Sequence, residues 1–190
     1  MTPDLAEVKS RMKSTWMAGD FGQIVNFTAA EAENFVGRLG IQAGAKVLDV
    51  ACGTGNTAIP PARTGASVTG VDIATNLLEQ ARKRAASEQL AIRFEEGDAE
   101  ELRYEDRTFD PVLTMFGAMF APRSERVAAE LIRACKPGGL IAMANWTPQG
   151  FVGKSFPLTA KMVPRLQFHL RCCGETKPWS GNGWALGRQQ

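Results

Sequence analysis

The stretch Val47-Leu-Asp-Val-Ala-Cys-Gly-Thr-Gly-Asn-Thr-Ala58 begins as a strand and ends as a tight turn. Lys46–Val50 is short, apolar and rich in Val and Leu. Gly53 and Gly55 then remove side chains from the turn, so a ligand can approach the main chain closely. The helix predicted to follow offers free N–H groups. Asp49, near the strand end, can orient the loop or meet a cationic ligand group through water.

Working outward, the same pattern repeats. Ser67–Val71, Ala91–Phe94, Phe109–Thr114 and Leu140–Ala144 read as further strands. Helical stripes lie between them, at Ala74–Ser87 and at Ser124–Cys135, the second ended by Lys136-Pro-Gly-Gly139. Before the first strand, Thr28 and Glu31 have the spacing of a capping box, and Gly40 stops the helix they open. Val8–Met17 reads as a short amphipathic helix. Short apolar strands alternating with helices predict an α/β fold. Its sheet is Rossmann-like, doubly wound and mainly parallel, with helices on both faces. Ligands then bind beyond the carboxyl ends of the strands.

Two features oppose the pattern. Pro60 and Pro61 are tolerated only if their helix starts there or is distorted. Pro111 removes a ladder hydrogen bond from a strand expected to be central. From Pro164 onward the periodicity fades, and Arg171–Gln190 shows no strand-like run. Three segments are expected: 1–27 as a helical lid, 28–163 as the ligand-binding domain, and 164–190 as an irregular tail.

The strand tips carry the chemistry. Asp72, 19 residues after Gly53, can accept from both hydroxyls of a ribose, and Ile73 can lie against a base. Gly97-Asp98-Ala99 places a carboxylate where an exocyclic amine can donate, beside a narrow Ala edge. Met115 and Phe116 follow the fourth strand and would floor the site. Taken singly, Asp49 can be a loop cap, Asp72 a helix N-cap and Asp98 a turn residue. Met115 and Phe116 can be core. Their coincidence at successive strand tips favours a nucleoside site.

Composition narrows the remainder. Apolar residues at 44%, charged residues at 22% and a net charge of +2 fit a single globular domain and give no basic patch for nucleic acid. No run approaches the ~18 apolar residues of a membrane span, and the N-terminus lacks a signal-peptide layout. A cytoplasmic location without stable membrane insertion is expected. Four cysteines without a CxxC pair and one histidine predict no metal site.

Asp49-Val-Ala-Cys-Gly-Thr-Gly55, Gly70-Val-Asp-Ile73, Gly97-Asp-Ala99, Phe109-Asp110 and Lys136-Pro-Gly-Gly139 together resemble the successive motifs of class I S-adenosylmethionine-dependent methyltransferases. The flavour is that of the small-molecule UbiE/COQ5-like group, over about residues 15–155. The resemblance implies S-adenosylmethionine as cofactor and a small-molecule methyl acceptor attacked in line. It implies that Asp49, Ala51, Gly53, Gly55 and Asn56 surround the methionine moiety. Asp72 and Ile73 would take the ribose and adenine, and Asp98 and Ala99 the adenine edge. Met115 and Phe116 would lie near the sulfur, and Gln23 would close from the lid. Trp16, Phe21, Trp146 and Phe151 would face the acceptor. No residue stands out as a general base.

The family carries two more strands after the fifth, and the tail here departs from that pattern as a truncation or altered reading frame would. The exposed sheet edge then predicts a homodimer or aggregation. Three alternatives share these observations: a catalytically impaired cofactor-binding remnant, an NAD-dependent oxidoreductase, and an RNA or protein methyltransferase. The second leaves Asp98-Ala99 unexplained, and the third lacks its local signatures.

Overall fold

The computed structural model describes residues 4–18, 20–155 and 184–188. Three helices come first: α1 (Leu5–Met17), α2 (Phe21–Asn26) and α3 (Ala29–Gly37). Then follow β1 (Lys46–Val50), α4 (Ile59–Arg63), β2 (Ser67–Asp72), α5 (Thr75–Ser87) and β3 (Arg93–Glu96). β4 (Phe109–Met115), a 3-10 turn at Ala118–Phe120, α6 (Ser124–Ala134), β5 (Cys135–Ala144) and β6 (Trp184–Arg188) complete the order.

The sheet runs β3-β2-β1-β4-β5-β6. The first five strands are parallel and β6 is antiparallel to β5. Alternation along β1 shows why helices cover both faces. Val47 belongs to a core with Phe35 and Val36 of α3 and Leu78, Ala81 and Ala85 of α5. Its neighbours Leu48 and Val50 point the other way, into a core with Val127, Leu131 and Ala134 of α6. Successive side chains on a strand face opposite sides, so a strand buried on both must be apolar throughout.

Both proline intrusions have local solutions. Pro60 and Pro61 occupy the first turn of α4, where main-chain N–H groups lack helical partners in any case. The helix is only five residues long, and residues 53–58 form turns before it. Pro111 sits at a register shift: Phe109 pairs with Cys135 but Pro111 with Leu140. The register with β1 starts only at Val112. Lys136–Gly139 is therefore a bulge inside β5 rather than a turn before it, with Gly138 at φ 76°. α6 stops one residue earlier than expected.

Two expectations need correction. Thr28 precedes α3 but makes no side-chain cap bond, so the predicted capping box does not form; its Oγ1 meets Asn56 Nδ2 at 3.5 Å. The segment read as strandless contains β6, which pairs from Trp184 opposite Ala144 to Arg188 opposite Leu140. Its glycine-interrupted sequence has little strand character of its own, and the open edge of β5 supplies the partner. That is the edge whose exposure underlies the expected self-association. Residues 156–183, including His169 and most of the predicted tail, lie outside the described residues.

Candidate functional site

Strand order reverses between β1 and β4, because the chain builds outward to β3 and then returns to the other side of β1. Crevices open at such switch points, beyond the carboxyl ends of the strands. Here a cavity of about 1030 Å³ lies there, roofed by α1 and α2. Gly117 sets its floor. A Cβ on it would come within 2.6 Å of Ala51 Cβ and 2.7 Å of Ala51 O, so the ends of β1 and β4 touch only because it has none. Ala51 and Phe116, flanking this contact, both hold left-handed backbone at φ 56° and 59°. Such geometry in non-glycine residues costs on the order of 1–3 kcal/mol each and concentrates where ligands bind.

Ala51, Gly53, Asn56, Asp72, Ile73, Asp98, Ala99, Met115, Phe116, Trp16, Phe21 and Trp146 all line the cavity. Four predicted residues do not. Gly55 turns inward at φ 84°, and a Cβ there would meet Phe94 at 3.3 Å, so it serves helix–sheet packing. Gln23 is exposed and donates to Asp20 Oδ2 at 3.3 Å. Phe151 is 88% exposed. Asp49 is fully buried beneath the turn and accepts from Thr57 Oγ1 at 2.7 Å, as a loop cap does.

Asp49 is nonetheless unusual. Its Oδ1 is buried with no hydrogen-bond partner. Burial pushes its carboxyl up to about 7; Thr57 works against that rise and the Asp72 charge adds to it. Asp72 combines two roles. Its Oδ2 accepts from Gly53 N and its Oδ1 from Ala74 N, each at 2.8 Å, while the residue borders the cavity. Burial raises its carboxyl, and the N–H groups of Ala74, Gly53 and Ile73 oppose the rise. Cys52 also lines the cavity, and burial with the charges of Asp49 and Asp72 holds its thiol above the ordinary value.

The sequence reading missed several contributors. Arg84 of α5 uses one nitrogen, Nη1, to reach Thr54 O at 2.8 Å, Thr54 Oγ1 at 3.1 Å and Asn56 Oδ1 at 2.7 Å, bracing the glycine turn from behind. In the sequence it is one of several charges on the polar side of an amphipathic helix. Lys9 and Lys13 of α1 also line the cavity; Lys13 pairs with Glu96 at the end of β3, and Lys9 with Asp98 and Glu100 just beyond it. The lysine ammonium of Lys9 is held above its ordinary value; burial disfavours its charge, and Asp98 and Glu100 outweigh that.

The cavity is divided by polarity. Its charged lining residues are Lys9 and Lys13 of α1, Asp72 and Glu96 at the ends of β2 and β3, and Asp98 and Arg103 in the segment after β3. Every described lining residue from position 115 onward is uncharged: Met115, Phe116, Gly117, Ala118, Phe120, Ala121, Pro122, Trp146 and Val152. Phe116 and Trp146 stack at 3.8 Å with planes 9° apart. Trp16 closes above, 5.1 Å from both Phe21 and Phe120. Among the described residues no group of three metal-binding side chains occurs, and no helix is long and apolar enough to cross a membrane.

Comparison with known proteins decides the family. Residues 47–139 match the model of a methyltransferase domain. These residues form a methyltransferase domain, and the chain is similar to class I S-adenosylmethionine-dependent methyltransferases. It is 44% identical over 143 residues to the uncharacterized protein Rv1403c of Mycobacterium tuberculosis, covering 75% of this chain and 52% of that one. It is 37% identical over 131 residues to the demethylmenaquinone methyltransferase of Tropheryma whipplei, covering 67% and 54%. The chain thus spans about half the length of the curated relatives it matches. The Bacillus subtilis YcgJ structure shares the fold, with a TM-score of 0.63 at 23% identity over 75% of this chain and 62% of that one. The nicotinamide-dependent alternative does not describe this family.

Proposed function

We propose that this methyltransferase domain binds S-adenosylmethionine along the charged half of the cavity and methylates an uncharged, ring-bearing small molecule held in the apolar half. The polarity division of the cavity carries this reading. Its volume, about 1030 Å³, exceeds what one ligand of ordinary size fills, and leaves room for a cofactor and an acceptor together.

The residues present fit the cofactor. Asp72 offers its carboxylate to the ribose, Ile73 an apolar face to the base, and Asp98 with Ala99 an acceptor and a narrow edge. Ala51, Gly53 and Asn56 border the methionine end, above the unpartnered Asp49 Oδ1. When bound, the cofactor supplies a methyl group on a sulfonium, a good leaving group. The chain's part is alignment and the exclusion of water. Phe116 and Trp146 hold a planar acceptor, and Trp16 and Phe21 close over it. Among the described residues, those lining the apolar half from position 115 onward carry no ionisable side chain.

Calorimetry with S-adenosylmethionine, S-adenosylhomocysteine and NADH tests the first half of this reading. Heat with both adenosyl ligands and none with NADH is expected. Transfer of labelled methyl to a panel of uncharged and charged ring compounds tests the second half. Equal transfer to charged acceptors contradicts it. Cofactor binding without transfer to any acceptor favours a binding remnant.

A further inference from the structure

Lys9 and Asp98 are 89 residues apart in the chain, yet Lys9 Nζ donates to Asp98 Oδ2 at 2.5 Å. The same ammonium lies 2.7 Å from Glu100 Oε2. Glu100 has no solvent-exposed surface and is held from the other side by Arg123. The Arg123 main-chain N donates to its Oε1 at 2.6 Å and the guanidinium to its Oε2 at 2.8 Å. Asp98 Oδ1 accepts from Glu100 N at 2.8 Å. Two donors, one from the main chain and one from α1, therefore fix the plane of the Asp98 carboxylate. Each carboxylate oxygen has about two lone-pair sites, so one on each is left for an incoming donor.

Lys9 is only 26% exposed in its side chain, so this pairing is sheltered from water in a way that a surface ion pair is not. It joins α1, an element outside the sheet, to the carboxylate that the cavity presents at the tip of β3. We propose that Lys9 is a positioning residue for base recognition. It holds the Asp98 carboxylate where the exocyclic amine of an adenosyl ligand donates to it, which couples closure of α1 to the identity of the base. This rests on the adenosyl reading of the cavity. Without the ammonium, the Asp98 and Glu100 carboxylates lose the cation they share, and of these two donors only the Glu100 amide is left to hold Asp98.

Calorimetry on the full chain with S-adenosylhomocysteine and S-inosylhomocysteine, which carries a carbonyl in place of the amine, tests the proposal. The wild-type chain is expected to prefer the adenosyl ligand by about tenfold or more. Lys9→Met is expected to lose about tenfold in adenosyl affinity and to bring the preference near unity, with Lys9→Arg restoring part of it. Arg11→Met, on the same helix but paired within it to Glu7, is expected to keep the wild-type preference. Should Lys9→Met not fold, Lys9→Gln reads out the same ratio. Equal weakening of both ligands, or an unchanged ratio, overturns the proposal while leaving the adenosyl reading intact. A wild-type chain that takes up neither ligand overturns both.

Discussion

The Gly53 amide donates to the Asp72 carboxylate at 2.8 Å, tying the turn after β1 to the tip of β2. Gly53 adopts φ 53°, which L side chains rarely take, and its N–H is aimed by that conformation. One carboxylate thereby shapes the loop and borders the cavity. Asp72→Asn replaces one acceptor with a donor that opposes either the Gly53 or the Ala74 amide. A loss of about 1–3 kcal/mol in stability is expected, together with a fall in S-adenosylhomocysteine affinity of at least about tenfold. Thermal melts and calorimetry on one preparation separate the two effects.

Asp49 gives a dependence on pH with a definite sign. Its carboxyl is raised to about 7 in the folded chain, above an ordinary 3.8. Between these values the folded state binds more protons than the unfolded one, so stability from this group is present at low pH and is lost as pH rises. From pH 5 to pH 7 the loss amounts to roughly 2 kcal/mol. Chemical denaturation of wild type and Asp49→Asn across this range is expected to show a steeper decline in the wild type. Parallel curves would contradict it.

The same carboxylate bears on ligand charge. S-adenosylmethionine carries one more positive charge than S-adenosylhomocysteine, and a carboxylate beneath the proposed methionine end favours the cation only when ionised. The affinity ratio between the two ligands is expected to rise by about threefold or more from pH 6 to pH 8 in the wild type. In Asp49→Asn it is expected to stay flat. Calorimetry at the two pH values measures both ratios.

Arg84 braces the glycine turn through three acceptors on Thr54 and Asn56. Burial lowers its guanidinium below the ordinary value, yet the bracing needs the donors in place. Arg84→Met is expected to weaken S-adenosylhomocysteine binding about tenfold, and Arg84→Lys to recover only part of that, because lysine lacks the planar fork. An affinity unchanged in Arg84→Met would show that the turn holds its shape alone.

Trp146 stacks on Phe116 among the uncharged lining residues of the cavity. Trp146→Ala is expected to raise KM for a ring-bearing acceptor about tenfold while changing S-adenosylhomocysteine affinity by no more than about twofold. Steady-state kinetics on any acceptor found by the panel, paired with calorimetry, checks the split.

What the sequence reveals about this molecule follows from range. The central strands β1, β2 and β4 are legible because they are largely buried on both faces, and Val47, Leu48 and Val50 say so without any partner in view. The carboxylates at the tips of β2 and β3 are legible because the turn after β1 fixes where the other tips must lie. The β6 pairing is not, because residues 184–188 take their partner from the open edge of β5. Lys9 is not, because its two acceptors are some ninety positions away and an exposed helical lysine looks the same in sequence. Ala51 and Phe116 hide for another reason: both adopt left-handed backbone without being glycine. The outcome for Asp49, Asp72 and Asp98 is instructive too. Asp49 and Asp98 keep local loop and turn roles, whereas Asp72 ends β2 and holds Ala74 N without being the N-cap of α5; Asp72 and Asp98 also border the cavity.

A crystal structure of this chain with S-adenosylhomocysteine probes the assignment of the two cavity halves in a single map. The ribose hydroxyls should lie within hydrogen-bonding distance of Asp72 and the adenine amine beside Asp98, with the sulfur turned toward Met115 and the Phe116–Trp146 stack. A ligand seated elsewhere, or one leaving Asp72 and Asp98 both without contact to it, would contradict the site described above.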